Sequence, residues 1–251
     1  MTGSDVLNGV SGQLGTGPVR VITVSNGDAL TRHVSDAGRQ LTHRIWEAAE
    51  SDEVKALILR VEGCHDAPAD NERVWTTIRG RESALGARQL AYTGTTGLYQ
   101  TLALCKKPIV AELRGTCQGV ASLIALYADL AVADVTARFY SPFEALPEAN
   151  FAIAALTMRL DRAKAWLLTG QPLDAHTAEE FGLINRVVAV DELAAASMAL
   201  AQRIARMPLD GITVSKMNLN ACLDAMAVGQ EFDMSGYFAA GMASPNLLGV
   251  V

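Results

Sequence analysis

The sequence predicts an α/β fold in which parallel strands alternate with helices, followed by a region of helices only. Up to about residue 190, short apolar segments alternate with segments of helical periodicity, which is the pattern of parallel βαβ units with right-handed crossovers. Ala56–Val61 is a continuous apolar run, typical of a strand buried on both faces. From Asp191 onward only helical spacing recurs.

The strands follow from β-branched and apolar runs. They are predicted at Val19–Ser25, Ala56–Val61, Pro108–Leu113, Asp129–Ala133 and Ile184–Val190. Residues 1–18 are Gly/Ser-rich and lack a basic region before an apolar block, so we interpret them as a flexible leader and not as a signal peptide. Residues 63–71 and 139–150 are rich in turn-forming residues and are predicted to be irregular.

The helices follow from apolar residues at helical spacing, such as Leu41, Ile45 and Ala48 in the first of them. Ser35 and Asp174 are candidate N-caps, and Gly182 is a candidate C-terminal stop. The helices are predicted at Ser35–Ala49, Ser83–Cys105, Gln118–Ala128, Phe151–Leu168 and Asp174–Phe181, and in stretches from Asp191 to about Met242. The chain therefore divides into a leader (1–18), an α/β core (19–190) and a helical region (191–251).

Composition excludes several classes of protein. Among 251 residues, 50% are hydrophobic and 19% charged, which fits a globular core, and the net charge of −6 argues against a nucleic-acid-binding surface. No apolar run approaches the ~20 residues of a membrane span. The four cysteines have irregular spacing and no CxxC pair, so we expect structural thiols in a cytoplasmic protein and no metal site.

Common catalytic motifs are missing from the sequence. It has no GxGxxG after the first strand, no P-loop, no HExxH and no GxSxG. The four histidines lie far apart, and His43 and His176 fall on predicted helix surfaces. Ordinary acid–base or nucleophilic centres are therefore not indicated by any single motif.

Two loops remain as candidate sites, each directly after a buried strand. The first is Gly63–Asp70, and the second is Arg114–Val120, which leads into Gln118–Ala128, a segment without a charged side chain. A helix without charge on any face must be buried, and its first N–H groups have no partner within the helix. Two such loops could present two backbone N–H groups to one oxyanion, although on spacing alone the better interpretation is that both are ordinary βα turns.

The order of these features resembles the crotonase family, the enoyl-CoA hydratase/isomerase superfamily. SDEVKALILRVEG resembles the family's helix end and second strand, and HDAPAD stands where the family has a Phe-x-Ala-Gly-Ala-Asp loop. KKPIVAELRGTCQGVASLIALYADLAVAD matches its Lys-Pro strand, Asn-Gly turn and Gly-rich helix start. WLLTGQPLDAHTAEEFGLINRVV matches its Leu-Thr-Gly to Gly-Leu-Val segment. The resemblance covers roughly residues 19–190.

The resemblance implies a spiral of ββα units, with C-terminal helices that build a trimer or a dimer of trimers. It implies an acyl-CoA thioester as substrate, an enolate held by two backbone N–H groups, and no cofactor other than the coenzyme A of the substrate. Carried over by position, these donors are Ala69 and Val120. The same alignment places His65, Ala67, Asp70, Gly119, Leu123 and Phe143 against the substrate.

The family's two catalytic glutamates are both replaced. The position in the buried helix holds Leu123, and the position after the third strand holds Phe143. Glu144 is one residue further along, and a one-residue shift of the loop would bring it to the site, so it is our candidate catalytic residue. Glu148, His65, Asp66 and Tyr140 are weaker alternatives for proton transfer.

Two classes of function stay open on these residues. The first is a lyase or isomerase of fatty-acid metabolism with altered chemistry: isomerisation, decarboxylation or hydrolysis in preference to standard hydration. The second is a catalytically silent accessory subunit that supports a partner enzyme of a polyketide or fatty-acid biosynthetic system. We expect no nucleic-acid or membrane partner in either case.

Overall fold

Two β-sheets form the frame of the structure, a computed structural model that describes residues 6–7, 10–13, 17–24, 36–62, 97–142 and 152–226. The ten strands of the described residues are β1 (Val6–Leu7), β2 (Val10–Gln13), β3 (Val19–Val24), β4 (Ala56–Val61), β5 (Ile109–Leu113), β6 (Thr116–Cys117), β7 (Leu130–Asp134), β8 (Arg138–Phe139), β9 (Leu173–Asp174) and β10 (Arg186–Val188). The larger sheet has the order β1-β2-β3-β4-β5-β7-β10, and the smaller has the order β6-β8-β9. From β3 to β10 the larger sheet is parallel, as the alternation of strands and helices predicts.

Eight α-helices accompany these strands in the described ranges. They are α1 (Asp36–Glu50), α2 (Gly97–Leu104), α3 (Val120–Tyr127), α4 (Ala152–Thr157), α5 (Leu160–Thr169), α6 (Ala175–Phe181), α7 (Leu193–Ala205) and α8 (Leu209–Ala225). A short 3-10 turn (Val190–Glu192) precedes α7.

Each face of the parallel sheet is covered by helices, because alternate residues of β4 and β5 point to opposite sides. On one face Leu57 and Leu59 join the core formed with α1, α2 and α3. On the other face Ala56 and Ile58 pack with Leu193 and Ala201 of α7. The carboxyl end of β5, between these two layers, leads into the loop Arg114–Val120 of the candidate site.

Several predicted boundaries are confirmed, and others are wrong. Ala56–Val61 is a strand as predicted, and α6 begins at its Asp174 N-cap and ends at Gly182, which has a left-handed φ of 86°. The segment 1–18, interpreted as a flexible leader, contains β1 and β2, and both pair antiparallel. The predicted helix Phe151–Leu168 is broken into α4 and α5, and the predicted strand Ile184–Val190 shortens to β10.

No disulfide joins the cysteines of the described residues. Cys105 and Cys117 are buried and Cys222 is exposed, while Cys64 lies outside the described ranges. Burial raises the pKa of the Cys105 thiol, which keeps it neutral. Within the described residues, none of the helices is both long and apolar enough to cross a membrane.

Candidate active site

The candidate site is built around the turn that joins β6 to α3. Gly119 has φ 55° and ψ −121°, which are the dihedrals of the first central residue of a type II′ turn, and this position requires glycine. The Ala121 N–H closes that turn by donating to the Gln118 carbonyl at 3.1 Å. The glycine therefore reverses the chain between a strand end and a helix start within two residues.

The turn leaves a backbone donor at the start of a buried helix. All eight residues of α3 are buried, as the charge-free segment predicts. The Leu123 N–H donates to the Gly119 carbonyl at 3.2 Å, but within the described residues no carbonyl accepts the N–H of Val120. The helix dipole places partial positive charge at this end, so the Val120 N–H is suited to an anionic or polarised oxygen.

Leu123 is an apolar residue of α3 at the position where the family resemblance places a catalytic glutamate. Its side chain has 0% exposure, and α3 contains no ionisable group other than the phenol of Tyr127. The structure therefore brings together three of the residues singled out in the sequence, Gly119, Val120 and Leu123, around one helix start. The remaining candidates lie outside the described residues: His65, Ala67, Ala69, Asp70, Phe143 and Glu144, together with Asp66 and Glu148.

Ser122 is a residue of this region that sequence reasoning missed. Its hydroxyl oxygen lies 2.8 Å from the carbonyl oxygens of both Cys117 and Tyr140, and the residue is fully buried. The available signal was a lone aliphatic hydroxyl in a helix that otherwise buries apolar side chains. That signal does not identify the partners, since Cys117 ends β6 and Tyr140 follows β8.

The segment that leads to Phe143 and Glu144 is held from a different direction. The Trp166 indole donates to the Phe139 carbonyl at 3.1 Å, and the Ser141 hydroxyl donates to the Leu167 carbonyl at 3.2 Å. Tyr140, between them, is partly exposed, whereas Ser141 and Pro142 are buried. Helix α5 thus holds the backbone of residues 139–141, which lead to the candidate acid Glu144.

A buried carboxylate lies beneath the start of the same loop. Glu112, at 0% exposure on β5, accepts from Arg60 Nε at 2.6 Å and from the Ser197 hydroxyl at 2.5 Å. Arg114, which begins the loop to Val120, places a guanidinium nitrogen 3.5 Å from the same carboxylate. These contacts connect the beginning of the loop to β4 and to α7.

The far end of α3 is anchored by Asp129. Its carboxylate accepts the Ile109 N–H at 2.8 Å and forms an ion pair with Lys216 of α8, whose side chain is almost fully buried. This contact joins the helical region to the loop between α3 and β7. Both ends of α3 are therefore held by polar contacts, although the helix itself is apolar.

The described residues supply a donor but no acid–base pair. Within them, no cluster of three His, Cys, Asp or Glu side chains has the arrangement of a metal site. The arrangement can polarise a carbonyl through the Val120 N–H, in the manner of half of an oxyanion hole.

Comparison with known proteins agrees with this geometry. The family model described as enoyl-CoA hydratase/isomerase matches residues 31–238. A short-chain-enoyl-CoA hydratase of Clostridium acetobutylicum is 28% identical over 217 residues, covering 81% of this chain and 78% of that protein. A 1,2-epoxyphenylacetyl-CoA isomerase of Escherichia coli is 25% identical, covering 81% and 79%.

A solved structure gives the same result for the fold. The crystal structure of a probable enoyl-CoA hydratase from Mycobacterium smegmatis superposes with a TM-score of 0.77, at 25% identity, over 97% of each chain. The crotonase-like α/β architecture expected from the sequence is confirmed by this neighbour, and the resemblance by the family match. With its fold and its matched segments in agreement, the chain belongs to the enoyl-CoA hydratase/isomerase family.

Proposed function

We propose that this chain binds an acyl-CoA thioester and stabilises its enolate through the backbone N–H groups of Ala69 and Val120. The observation that carries the proposal is the Val120 N–H at the first residue of a buried helix, which no carbonyl of the described residues accepts, in a chain of this family. An enolate concentrates negative charge on the thioester oxygen, and preorganised N–H donors stabilise that charge. No cofactor beyond the coenzyme A of the substrate enters this scheme.

The chemistry that follows enolate formation differs from standard hydration. Hydration of an enoyl thioester uses one group to activate water and another to deliver a proton. Leu123 and Phe143 can do neither, whereas a single carboxylate at Glu144 suffices to move one proton. We therefore propose, in a cytoplasmic enzyme, isomerisation or decarboxylation through the enolate, or hydrolysis, in which the same N–H groups would hold the tetrahedral oxyanion formed when water attacks the thioester carbon.

Proline at position 120 tests the donor directly. Val120→Pro removes the backbone N–H of residue 120. The helix should still form, because proline is well tolerated at the first residue of a helix. The assay is exchange of the α-protons of butyryl-CoA with deuterated solvent, which reports enolate formation by removal of an α-proton. We expect the exchange rate to fall about 100-fold, the usual effect of losing one oxyanion donor.

Val120→Ala is the matched control, since it shortens the same side chain but keeps the N–H. We expect it to retain exchange to within a few-fold of the wild-type rate. Equal exchange in the proline variant and the alanine variant would remove Val120 from the mechanism.

Glu144 is tested by the same exchange reaction. Glu144→Ala should lower the rate by about 10²-fold or more, since a positioned general base contributes that much. Glu148→Ala removes a carboxylate from the same segment and should leave the rate unchanged. An unaltered rate in Glu144→Ala would show that another group moves the proton.

The second candidate function, a catalytically silent accessory subunit, is favoured by one observation. Leu123 is fully buried and apolar at the position of a family acid. This hypothesis predicts no α-proton exchange and a stable complex with a biosynthetic enzyme in a pull-down. Failure to bind butyryl-CoA by calorimetry would favour it over the enzyme, and measured exchange would exclude it.

We also propose a homotrimer, or a dimer of trimers, assembled through the helical region 191–251. Its support is the apolar surface that α8 leaves exposed at Val214 and Met217.

A further inference from the structure

Ser122 connects the last residue of β6 to the residue that follows β8. Its hydroxyl oxygen is 2.8 Å from the Cys117 carbonyl, which precedes the type II′ turn, and 2.8 Å from the Tyr140 carbonyl, which follows β8. A hydroxyl has one proton to donate, so the two carbonyls share it. The contact spans the space between the donor turn and the strand end that continues to Phe143.

The Cys117 carbonyl does not depend on Ser122 for its hydrogen bond. It also accepts the Tyr140 N–H at 2.9 Å, within the pairing of β6 with β8. An alanine at position 122 would therefore leave this carbonyl satisfied. A buried hydroxyl is expensive to desolvate, so its placement here is better explained by orientation of the two segments than by satisfaction of Cys117.

The connection continues beyond Tyr140 to helix α5. Phe139 and Ser141, on either side of Tyr140, are hydrogen-bonded to Trp166 and Leu167 of α5. Hydrogen bonds thus run from α5 through the strand end to Ser122, and from Ser122 to the residue before the donor turn. Ser122 is itself two residues after Val120 on the same turn of α3.

We propose that Ser122 is a positioning residue that sets the direction of the Val120 N–H relative to the strand end leading to Phe143 and Glu144. It acts through the backbone and does not touch the substrate. This inference rests on the proposed function, since it concerns the oxyanion donor of that site. Loss of the hydroxyl would loosen the turn against β8 and misalign the donor with the thioester oxygen.

The test is the carbonyl ¹³C chemical shift of acetyl-CoA labelled at the thioester carbon, measured free and bound to the wild-type protein, Ser122→Ala and Ser122→Cys. Polarisation by an oxyanion donor moves this resonance, whereas the fold as such does not. We expect the bound-minus-free shift of Ser122→Ala to fall to about half or less, as a misdirected hydrogen bond weakens steeply with angle. The thiol of Ser122→Cys is a weak donor, so its shift should be intermediate.

Thr42→Val is the matched control, because the Thr42 hydroxyl also donates to a main-chain carbonyl, that of Gly38 at 2.9 Å, but lies within α1, which contributes no residue to the candidate site. Its bound-minus-free shift should equal that of the wild type. Calorimetry should give acetyl-CoA affinities within a few-fold for all variants, so that the change is one of polarisation and not of occupancy. If Ser122→Ala is not folded, Ser122→Cys carries the comparison.

The outcomes distinguish the positioning role of Ser122 from the existence of the oxyanion site itself. A wild-type shift that both Ser122 variants retain overturns the positioning role and leaves the proposed function standing. No displacement of the resonance in the bound wild-type protein overturns the oxyanion site, and the role of Ser122 with it. A reduced shift in Thr42→Val equal to that in Ser122→Ala would also overturn the inference, because the loss of any internal hydroxyl would then have the same effect.

Discussion

Asp174 supplies the hydrogen bond with which α6 begins. Its side chain accepts the Thr177 N–H at 2.8 Å, which is the N-cap geometry that satisfies one of the helix's free donors. That hydrogen bond, with a further contribution from the Thr177 side chain, lowers the pKa of the Asp174 carboxyl below its ordinary 3.8. Because the charged form accepts the better hydrogen bond, the cap is stronger when Asp174 is ionised.

The Asp174 cap predicts a pH-dependent effect on stability. Asp174→Ala should lower the free energy of unfolding by about 1 kcal/mol at neutral pH, the usual value of an N-cap. A lowered folded-state pKa contributes stability above the unfolded pKa that is lost as the pH falls through the folded value, so the difference from wild type should shrink in acid. Urea denaturation at several pH values measures it.

Asp174→Asn is the control for charge, since asparagine also caps helices. We expect it to retain most of the stability at neutral pH and to show a weaker dependence on pH. A loss in Asp174→Ala that stays constant down to strongly acidic pH would contradict the ionised cap.

Glu112 joins the neighbouring strands β4 and β5 to helix α7. Arg60 and Glu112 are paired in register across β4 and β5, and Ser197 reaches the same carboxylate from α7. Glu112 has 0% exposure, while the Arg60 side chain keeps 27% of its surface in solvent. The two partners therefore differ in what their loss leaves behind: Arg60 can be hydrated, and Glu112 cannot.

This asymmetry predicts the result of a double-mutant cycle. Arg60→Met should destabilise the protein by about 3–5 kcal/mol, because it leaves a buried carboxylate without its closest cation. Adding Glu112→Leu should recover much of that loss, since apolar replacements of a buried pair are often neutral. Urea denaturation of the two single variants and the double variant gives the coupling energy.

A double variant less stable than Arg60→Met alone would contradict this account. It would indicate that the contacts of Glu112 with Arg114 and Ser197 stabilise the protein more than its contact with Arg60 does. Ser197→Ala, which removes one contact to Glu112 and no charge, should cost less than either charge substitution.

The sequence predicted those elements whose signal is local. The charge-free segment at 118–128 predicted the buried helix α3, and Asp174 with Gly182 predicted both ends of α6. The two-residue strands β6 and β8 carry no periodicity and were not predicted, so the partners of Ser122 could not be either. The contact between Arg60 and Glu112 joins residues 52 positions apart and depends on strand register, which composition does not reveal.

Helix α8 exposes apolar side chains that no other part of the described residues covers. Val214 and Met217 are 56% and 60% exposed, and the buried residues of α8 are Ile212 and Lys216. The ion pair of Lys216 with Asp129 holds one face of the helix to the core, so the opposite face points outward. Apolar side chains exposed together in this way indicate an interaction surface.

The proposed trimer predicts how this surface responds to charge. Val214→Asp together with Met217→Asp, which are one helical turn apart, should convert the assembly into monomers, because an aspartate buried in an apolar interface pays its desolvation without a partner. Light scattering coupled to size-exclusion chromatography measures the mass. Leu168→Asp on α5, at a leucine that is 76% exposed and outside the helical region, is the control and should leave the trimer intact. A wild-type chain that is monomeric at every concentration would contradict the assembly, and dissociation by Leu168→Asp alone would move the interface from α8 to α5.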